Sequence, residues 1–348
     1  MPDLKLYTVA QVRDWLERNV VAEGLTNEVI RPAFAWALIH NPFVKDDDPI
    51  VAAIYDNGDL AASTCAYPEV FEKPICTDEN GEQRRIWWFP MLWVKPEFRG
   101  KAYGLVAIGS LAEIYGEENA WTAWAVPESI EIFEYLGCKT YYFSRYFMGE
   151  KYINKDSLRV KLALLKQGSI AWWMERRMPV FPHYEFTLRY MTNVDEDSYR
   201  FMKDHASNHF FFPSKAQLDW ILHYPCTISS PLTNRVTVEG EYFSDVVCLV
   251  QNHFVQVWID KQLVGVYRLA IGDRTLSCDN VYYTKQYAEM VFASVVEHIN
   301  KLGIRSFETE DEALYRFVCK YVYIPKQWTE QLSLSLSPDV QVIDPIYR

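Results

Sequence analysis

The apolar positions along the chain change period several times, and each change marks an element. Residues 86–94 are a continuous aromatic-rich apolar run, the pattern of a buried strand. Leu105 to Tyr115 repeats its apolar residues at helical spacing. Thr8-x-x-Gln11 is a capping-box signal that opens a helix to about Arg18. Thr26 to Ile39 predicts a second helix. Val51 to Tyr55 and Leu60 to Tyr67 predict two strands joined by Asp56-Asn57-Gly58-Asp59, a hairpin turn. Trp121 to Val126 reads as a strand, and Glu128 to Leu136 as a short helix stopped by Gly137 at C′. Tyr141 to Phe147 closes this half as an aromatic strand.

The second half repeats the order of elements without repeating the sequence. Tyr184 to Met191 alternates as a strand, and Asp195 to His205 and Ser214 to His223 read as helices. Val255 to Asp260, Leu263 to Ile271 and Thr275 to Tyr283 predict three strands. Tyr287 to Leu302 is an apolar-periodic helix; Arg305 to Thr309 a strand, Glu312 to Tyr321 a helix and Gln327 to Leu336 an alternating strand follow. Residues 151–182 read as a connector, with a basic helical stretch from Ser157 to Gln167.

Candidate chemistry concentrates between the strand of residues 86–94 and the helix after it. Val94-Lys95-Pro96-Glu97-Phe98-Arg99-Gly100-Lys101-Ala102-Tyr103-Gly104 runs from a strand through a small, basic turn into a helix N-terminus. The first N–H groups of a helix lack intrahelical partners, and the helix dipole adds partial positive charge there. Gly100, Ala102 and Gly104 allow close approach of an anion, and Arg99 and Lys101 supply charge. A P-loop is excluded, because no Gly-Lys-Ser/Thr follows. A dinucleotide-binding turn fits poorly, because no earlier βαβ pattern precedes it.

Arg99-x-x-Ala102-x-Gly104 resembles motif A of the GNAT acetyltransferase superfamily, Arg/Gln-x-x-Gly-x-Gly/Ala, with alanine at the first glycine. The flanking elements match that superfamily in order over most of residues 1–150. The resemblance implies an α/β (α+β) fold of two GNAT-like acyl-CoA N-acyltransferase domains, each a mixed, mostly antiparallel twisted sheet flanked by helices. Residues 1–150 would be the domain with the acyl-CoA site. Residues 183–348 would be a degenerate GNAT-like domain with an acceptor-side or structural role. Leu92, Trp93 and Val94 would present backbone groups to the pantetheine arm of acetyl-CoA, and Arg99, Gly100, Lys101, Ala102, Tyr103 and Gly104 would cradle its pyrophosphate. The family's general-acid tyrosine corresponds to Phe133, and an asparagine often found seven residues earlier to Val126. The strand that often carries a catalytic glutamate, residues 86–94, holds no ionisable group. The second half has Tyr283-Thr284-Lys285-Gln286-Tyr287-Ala288 at the turn position, with no glycine. One CoA site per chain is therefore expected.

Composition narrows the partners. The chain has 348 residues, 49% hydrophobic, enough for two cored domains. Aromatics reach 16%, with 12 Trp and 23 Tyr, mainly as core packing. A net charge of −11, with basic clusters no longer than Arg84-Arg85 and Arg176-Arg177, argues against nucleic acid. No membrane span or signal-peptide pattern is present, and seven scattered Cys without a CxxC fit reduced cytoplasmic thiols and no zinc site.

The catalytic residues stay open. Glu69, after the second hairpin strand, is a weak candidate base, set against a solvated loop carboxylate. His205 and His209 stand beside Phe210 to Phe212 as a cleft wall or a helix end; no third metal ligand is near. Asp279 lies inside an apolar strand, on its wet face or functional. Trp87 and Trp93 share one strand face by alternation and Trp88 takes the other, so one indole could floor a sugar-binding site. The expected activity is acetyl-CoA-dependent acyl transfer to the amine of a small molecule, an amino sugar among the candidates, by direct attack. The alternatives are a catalytically silent acyl-CoA sensor or scaffold, and transfer to a hydroxyl or a protein amine. No metal is expected.

Overall fold

The computed structural model describes residues 2–73, 85–116, 121–125, 127–149, 181–206, 211–224, 251–272, 275–322 and 327–336. The basic stretch from Ser157 to Gln167, nearly all of the connector, His209 and Val126 lie outside the described residues. In chain order the elements are β1 (Asp3–Thr8), α1 (Val9–Arg18), α2 (Pro32–Ile39), β2 (Pro49–Asp56), β3 (Asp59–Glu69), β4 (Phe71–Lys73), β5 (Ile86–Val94), α3 (Tyr103–Gly116), β6 (Trp121–Ala125), α4 (Pro127–Tyr135) and β7 (Lys139–Met148). They continue with β8 (Thr187–Met191), α5 (Glu196–Asp204), β9 (Phe212–Pro213), α6 (Lys215–His223), β10 (Gln251–Ile259), β11 (Gln262–Gly272), β12 (Thr275–Tyr283), α7 (Ala288–Leu302), β13 (Ser306–Thr309), α8 (Glu312–Tyr321) and β14 (Gln327–Leu336).

Local chemistry explains most boundaries. Thr8 and Gln11 form the expected reciprocal capping box. Asn57 and Gly58 both have positive φ, as the β2–β3 turn requires. Gly137 ends α4 with φ 83°. The helix expected from Thr26 begins only at Pro32, because the residue before a proline is steered to extended backbone and Arg31 adopts it.

The chain forms two compact units, and neither is a contiguous half of the sequence. The first comprises residues 1–142, 210–247 and 332–348; the second comprises 143–209 and 248–331. Within the first unit the strand order is β1-β2-β3-β5-β6-β14, and within the second it is β7-β13-β12-β11-β10-β8. Each unit completes its sheet with a strand from the other half of the chain. In the first, Ser333 to Leu336 pair antiparallel with Ala125 to Thr122. In the second, Tyr146 to Met148 pair with Thr309 to Phe307. Burial explains this choice: Leu334 and Leu336 are buried, and Met148 joins the second unit's core with Val255, Leu276 and Phe307. The division at residues 150 and 183 expected from element order therefore differs from the division into compact units.

The helix of residues 215–223 likewise belongs to the first unit. β4 pairs with β9, Ser214 N–H donates to the Val70 carbonyl, and Trp220 Nε1 donates to the Ala37 carbonyl at 2.9 Å.

Candidate functional site

The site is built on β5. Against β3, Cys65 pairs with Met91 but Tyr67 pairs with Trp88, so Phe89 and Pro90 together face Ala66. This is a β-bulge, and it sits where proline has no ladder hydrogen bond to donate. The Thr64 hydroxyl donates to the Met91 carbonyl at 2.6 Å and fixes the strand beside the bulge. On its other edge β5 runs parallel to β6, and among the described residues the pairs are Trp87–Trp121 and Trp88–Thr122. Beyond the bulge, β5 leads from Pro90 to the turn at Arg99.

The bulge also reverses the alternation of side chains. Trp87 stacks on Tyr115 of α3 at 3.6 Å, so it faces that helix. A Cβ on Gly104 of α3 would lie 3.1 Å from Val94 and 3.4 Å from Leu92, so those side chains face α3 too. Trp93, between them, points to the opposite face, not to that of Trp87 as alternation predicts. Trp87 and Trp88 are buried and offer no open ring face. Trp88 packs against Phe71 and Phe211, and its neighbour Tyr67 against Trp220 of α6. α6 therefore covers the face of β3 and β5 opposite α3.

The turn carries the conformations an anion cradle needs. Gly100 has φ 84° and Ala102 φ 60°, both left-handed. Alanine pays a steric penalty of about 1–2 kcal/mol there. Ala102 keeps the backbone a glycine would have at that place. Gly104 is required by the close packing of α3 on Leu92 and Val94. The α3 N-terminus has no acidic residue in its first turn. Its first amides are left for an external acceptor. Arg99 is exposed, and no described carboxylate pairs with it.

Lys101 is placed differently from the expectation that its charge faces phosphate. Its ammonium lies 3.3 Å from Asp56 Oδ2 and 4.9 Å from the Phe98 ring centroid. The Tyr103 hydroxyl donates to the same Asp56 oxygen at 2.8 Å. The Tyr103 hydrogen bond, with help from Lys101, holds the Asp56 carboxyl below the usual carboxylate range. The Tyr103 phenol is raised in return.

Glu69 is neither in a loop nor solvated. It is the last residue of β3, 7% exposed, and accepts a 2.7 Å hydrogen bond from Gln217 Nε2 on α6. Its strand partner is Ile86, about 10 Å along β5 from the bulge. Phe133 is buried, with a ring that has no proton to give. Cys138 is buried, and burial pushes its thiol up to about 12. It is a core residue and not a nucleophile.

The second unit repeats the bulge without the turn. Val266 pairs with Tyr282 and Arg268 with Asp279, so Asn280 and Val281 face Tyr267, and Asn280 has φ 51°. β12 pairs with β13 only as far as Cys278. The following turn, Thr284 to Ala288, contains no positive φ, and Tyr287, the N-cap of α7, makes no side-chain cap hydrogen bond. Asp279, expected to be wet or functional, instead sits in a buried ion cluster. Arg145 reaches Asp279 at 3.1 Å, Glu308 at 3.0 Å and Glu310 at 2.9 Å, and Arg268 reaches Asp279 at 3.0 Å. His205 hydrogen-bonds the Phe201 carbonyl and Thr284, as a helix end does. No metal-binding group of residues occurs among the described residues.

No family model matches the chain, and no curated protein matches it in sequence. Solved structures do match in fold. A Pyrococcus horikoshii protein assigned as an acetyltransferase superposes with TM-score 0.51 at 9% identity, covering 96% of this chain and 88% of its own. A tandem GNAT protein from the clavulanic acid biosynthesis pathway gives TM-score 0.50 at 10% identity, covering 98% and 99%. An Enterococcus faecalis protein of unknown function, assigned as an N-acyltransferase, gives 0.51 at 12%, covering 96% and 72%. The fold is that of tandem GNAT proteins.

Proposed function

We propose that the first unit binds an acyl-CoA, acetyl-CoA foremost, and transfers its acyl group to the amine of a small molecule. One observation carries this reading: β5 pairs with β6 at Trp87 and Trp88, is bulged at Phe89–Pro90, and its edge then runs straight into the left-handed turn and the α3 N-terminus. Pantetheine amides pair with such an edge as a further strand would, and a pyrophosphate suits such a turn. Backbone N–H groups near the bulge polarise the thioester carbonyl. Glu69 is the proton acceptor in this reading, reached through water along the α6 side of the strand, with Gln217 fixing its carboxylate.

The acceptor enters on the face lined by Trp93 and by residues 211–224. An amino-sugar acceptor is left with Trp93 alone as a stacking platform. Nucleic acid and metal have no part in the proposal. No helix among the described residues is long and apolar enough to cross a membrane. The described cysteines Cys65, Cys138, Cys278 and Cys319 are free thiols, which suits the cytoplasm.

A second reading, a CoA-binding sensor without turnover, is favoured by buried Phe133 and a β5 without ionisable groups. Thiol release from acetyl-CoA, measured against a panel of amines, separates the two: release supports the enzyme, and tight binding without release on every amine supports the sensor.

A further inference from the structure

We infer that Asp56 is a positioning residue for the acyl-CoA turn, acting as a brace that holds its strained backbone before any ligand arrives; this rests on the function proposed above.

Asp56 ends β2, in the hairpin beside the turn and outside the residues that would touch phosphate. One of its oxygens, Oδ2, accepts from both Lys101 Nζ (3.3 Å) and the Tyr103 hydroxyl (2.8 Å). These two residues flank Ala102, the residue with φ 60°. The left-handed backbone is thus tied on both sides to one carboxylate. Lys101 is held further by the Phe98 ring, and Phe98 and Tyr103 pack on Ile54, Ala61, Ala62 and Ala107. The carboxylate therefore anchors the turn to the β2–β3 hairpin and its small core.

A strained conformation persists only where its surroundings over-determine it. Where glycine would adopt this backbone at no cost, alanine needs an external hold, and Asp56 supplies it. Preorganisation of this kind raises affinity by removing the ordering cost from binding. The same carboxylate neutralises Lys101, so the charge offered to phosphate is that of Arg99 and the backbone.

The two roles of Asp56 have opposite consequences, which makes the inference testable on the full-length chain. If the brace dominates, Asp56→Ala weakens CoA binding about tenfold in calorimetry. Tyr103→Phe, which removes one tie, weakens it less. Adding Ala102→Gly to Asp56→Ala restores most of the affinity, because glycine needs no brace. Amide hydrogen exchange of residues 99–105 in the ligand-free protein rises in Asp56→Ala. An unchanged or tighter CoA affinity in Asp56→Ala overturns the inference, since the carboxylate would then act only as a repelling charge. A double variant as weak as Asp56→Ala also overturns it. If the wild-type chain binds no CoA, the functional reading fails, and the exchange experiment alone decides the brace: faster exchange supports it and unchanged exchange overturns it.

Discussion

Arg145 and Asp279 stand 134 positions apart in the chain and 3.1 Å apart in the folded second unit. Arg145 comes from β7, in the first half of the sequence, and Asp279 from β12. The guanidinium also takes Glu308 and Glu310, and Arg268 shares Asp279. Removing Arg145 takes the ion pair from fully buried Glu308 and leaves Asp279 with Arg268 as its cation. Arg145→Leu should cost about 3–5 kcal/mol in chemical denaturation. A loss below about 1 kcal/mol would mean the cluster is solvated.

The cluster also gives a pH signature. Burial pushes the Asp279 carboxyl up, but Arg145, Arg268 and Ser277 outweigh it and hold it below the usual carboxylate range. A carboxylate with a lowered folded pKa contributes stability in full above its unfolded value near 3.8, and that stability is lost as pH falls through the folded value. Asp279→Asn should therefore flatten the acid limb of the stability profile below about pH 4. An unaltered acid limb would contradict this.

Strand exchange bears on truncation. A fragment of residues 1–150 keeps β7 but loses its partner β13, and loses β14 and α6 from its own unit. Phe147 and Met148, both buried in the intact chain, would be bare. The fragment should aggregate or show no cooperative unfolding by calorimetry. A soluble fragment with a sharp transition would count against the exchange.

Glu69→Gln isolates charge from structure. Glutamine can still accept from Gln217, so the melting temperature should hold within a few degrees. If Glu69 takes the proton, kcat should fall about 100-fold or more with little change in KM for acyl-CoA. An unchanged kcat would remove Glu69 from the reaction.

Much of the first unit was legible in the sequence, and its failures have physical causes. The apolar run of residues 86–94 coincides with β5, because a strand buried on both faces needs no alternation. Gly100 marked the left-handed backbone of the turn, because few other residues tolerate it. Strict alternation across Pro90 put Trp87 and Trp93 on one face, when the extra residue of the bulge reverses the parity. Asp56 was hidden by its place in a hairpin turn, which accounts for an aspartate without further reason. Glu69 read as a loop carboxylate because Gln217, its partner, lies 148 positions away. Arg145 could not be matched to Asp279 for the same reason: local patterns carry no information on which distant strand completes a sheet.

The measurement closest to the central claim is calorimetric titration of the full-length chain with acetyl-CoA, beside Arg99→Ala. The account expects one molecule bound per chain, because the second unit has the bulge of β12 but no left-handed turn after it. It expects Arg99→Ala to lose one charge-assisted phosphate contact of about 1.5–3 kcal/mol, a fall in affinity of about tenfold or more. A wild-type chain with no affinity at millimolar acetyl-CoA, two molecules bound per chain, or an Arg99→Ala variant that binds as tightly as the wild type would contradict it.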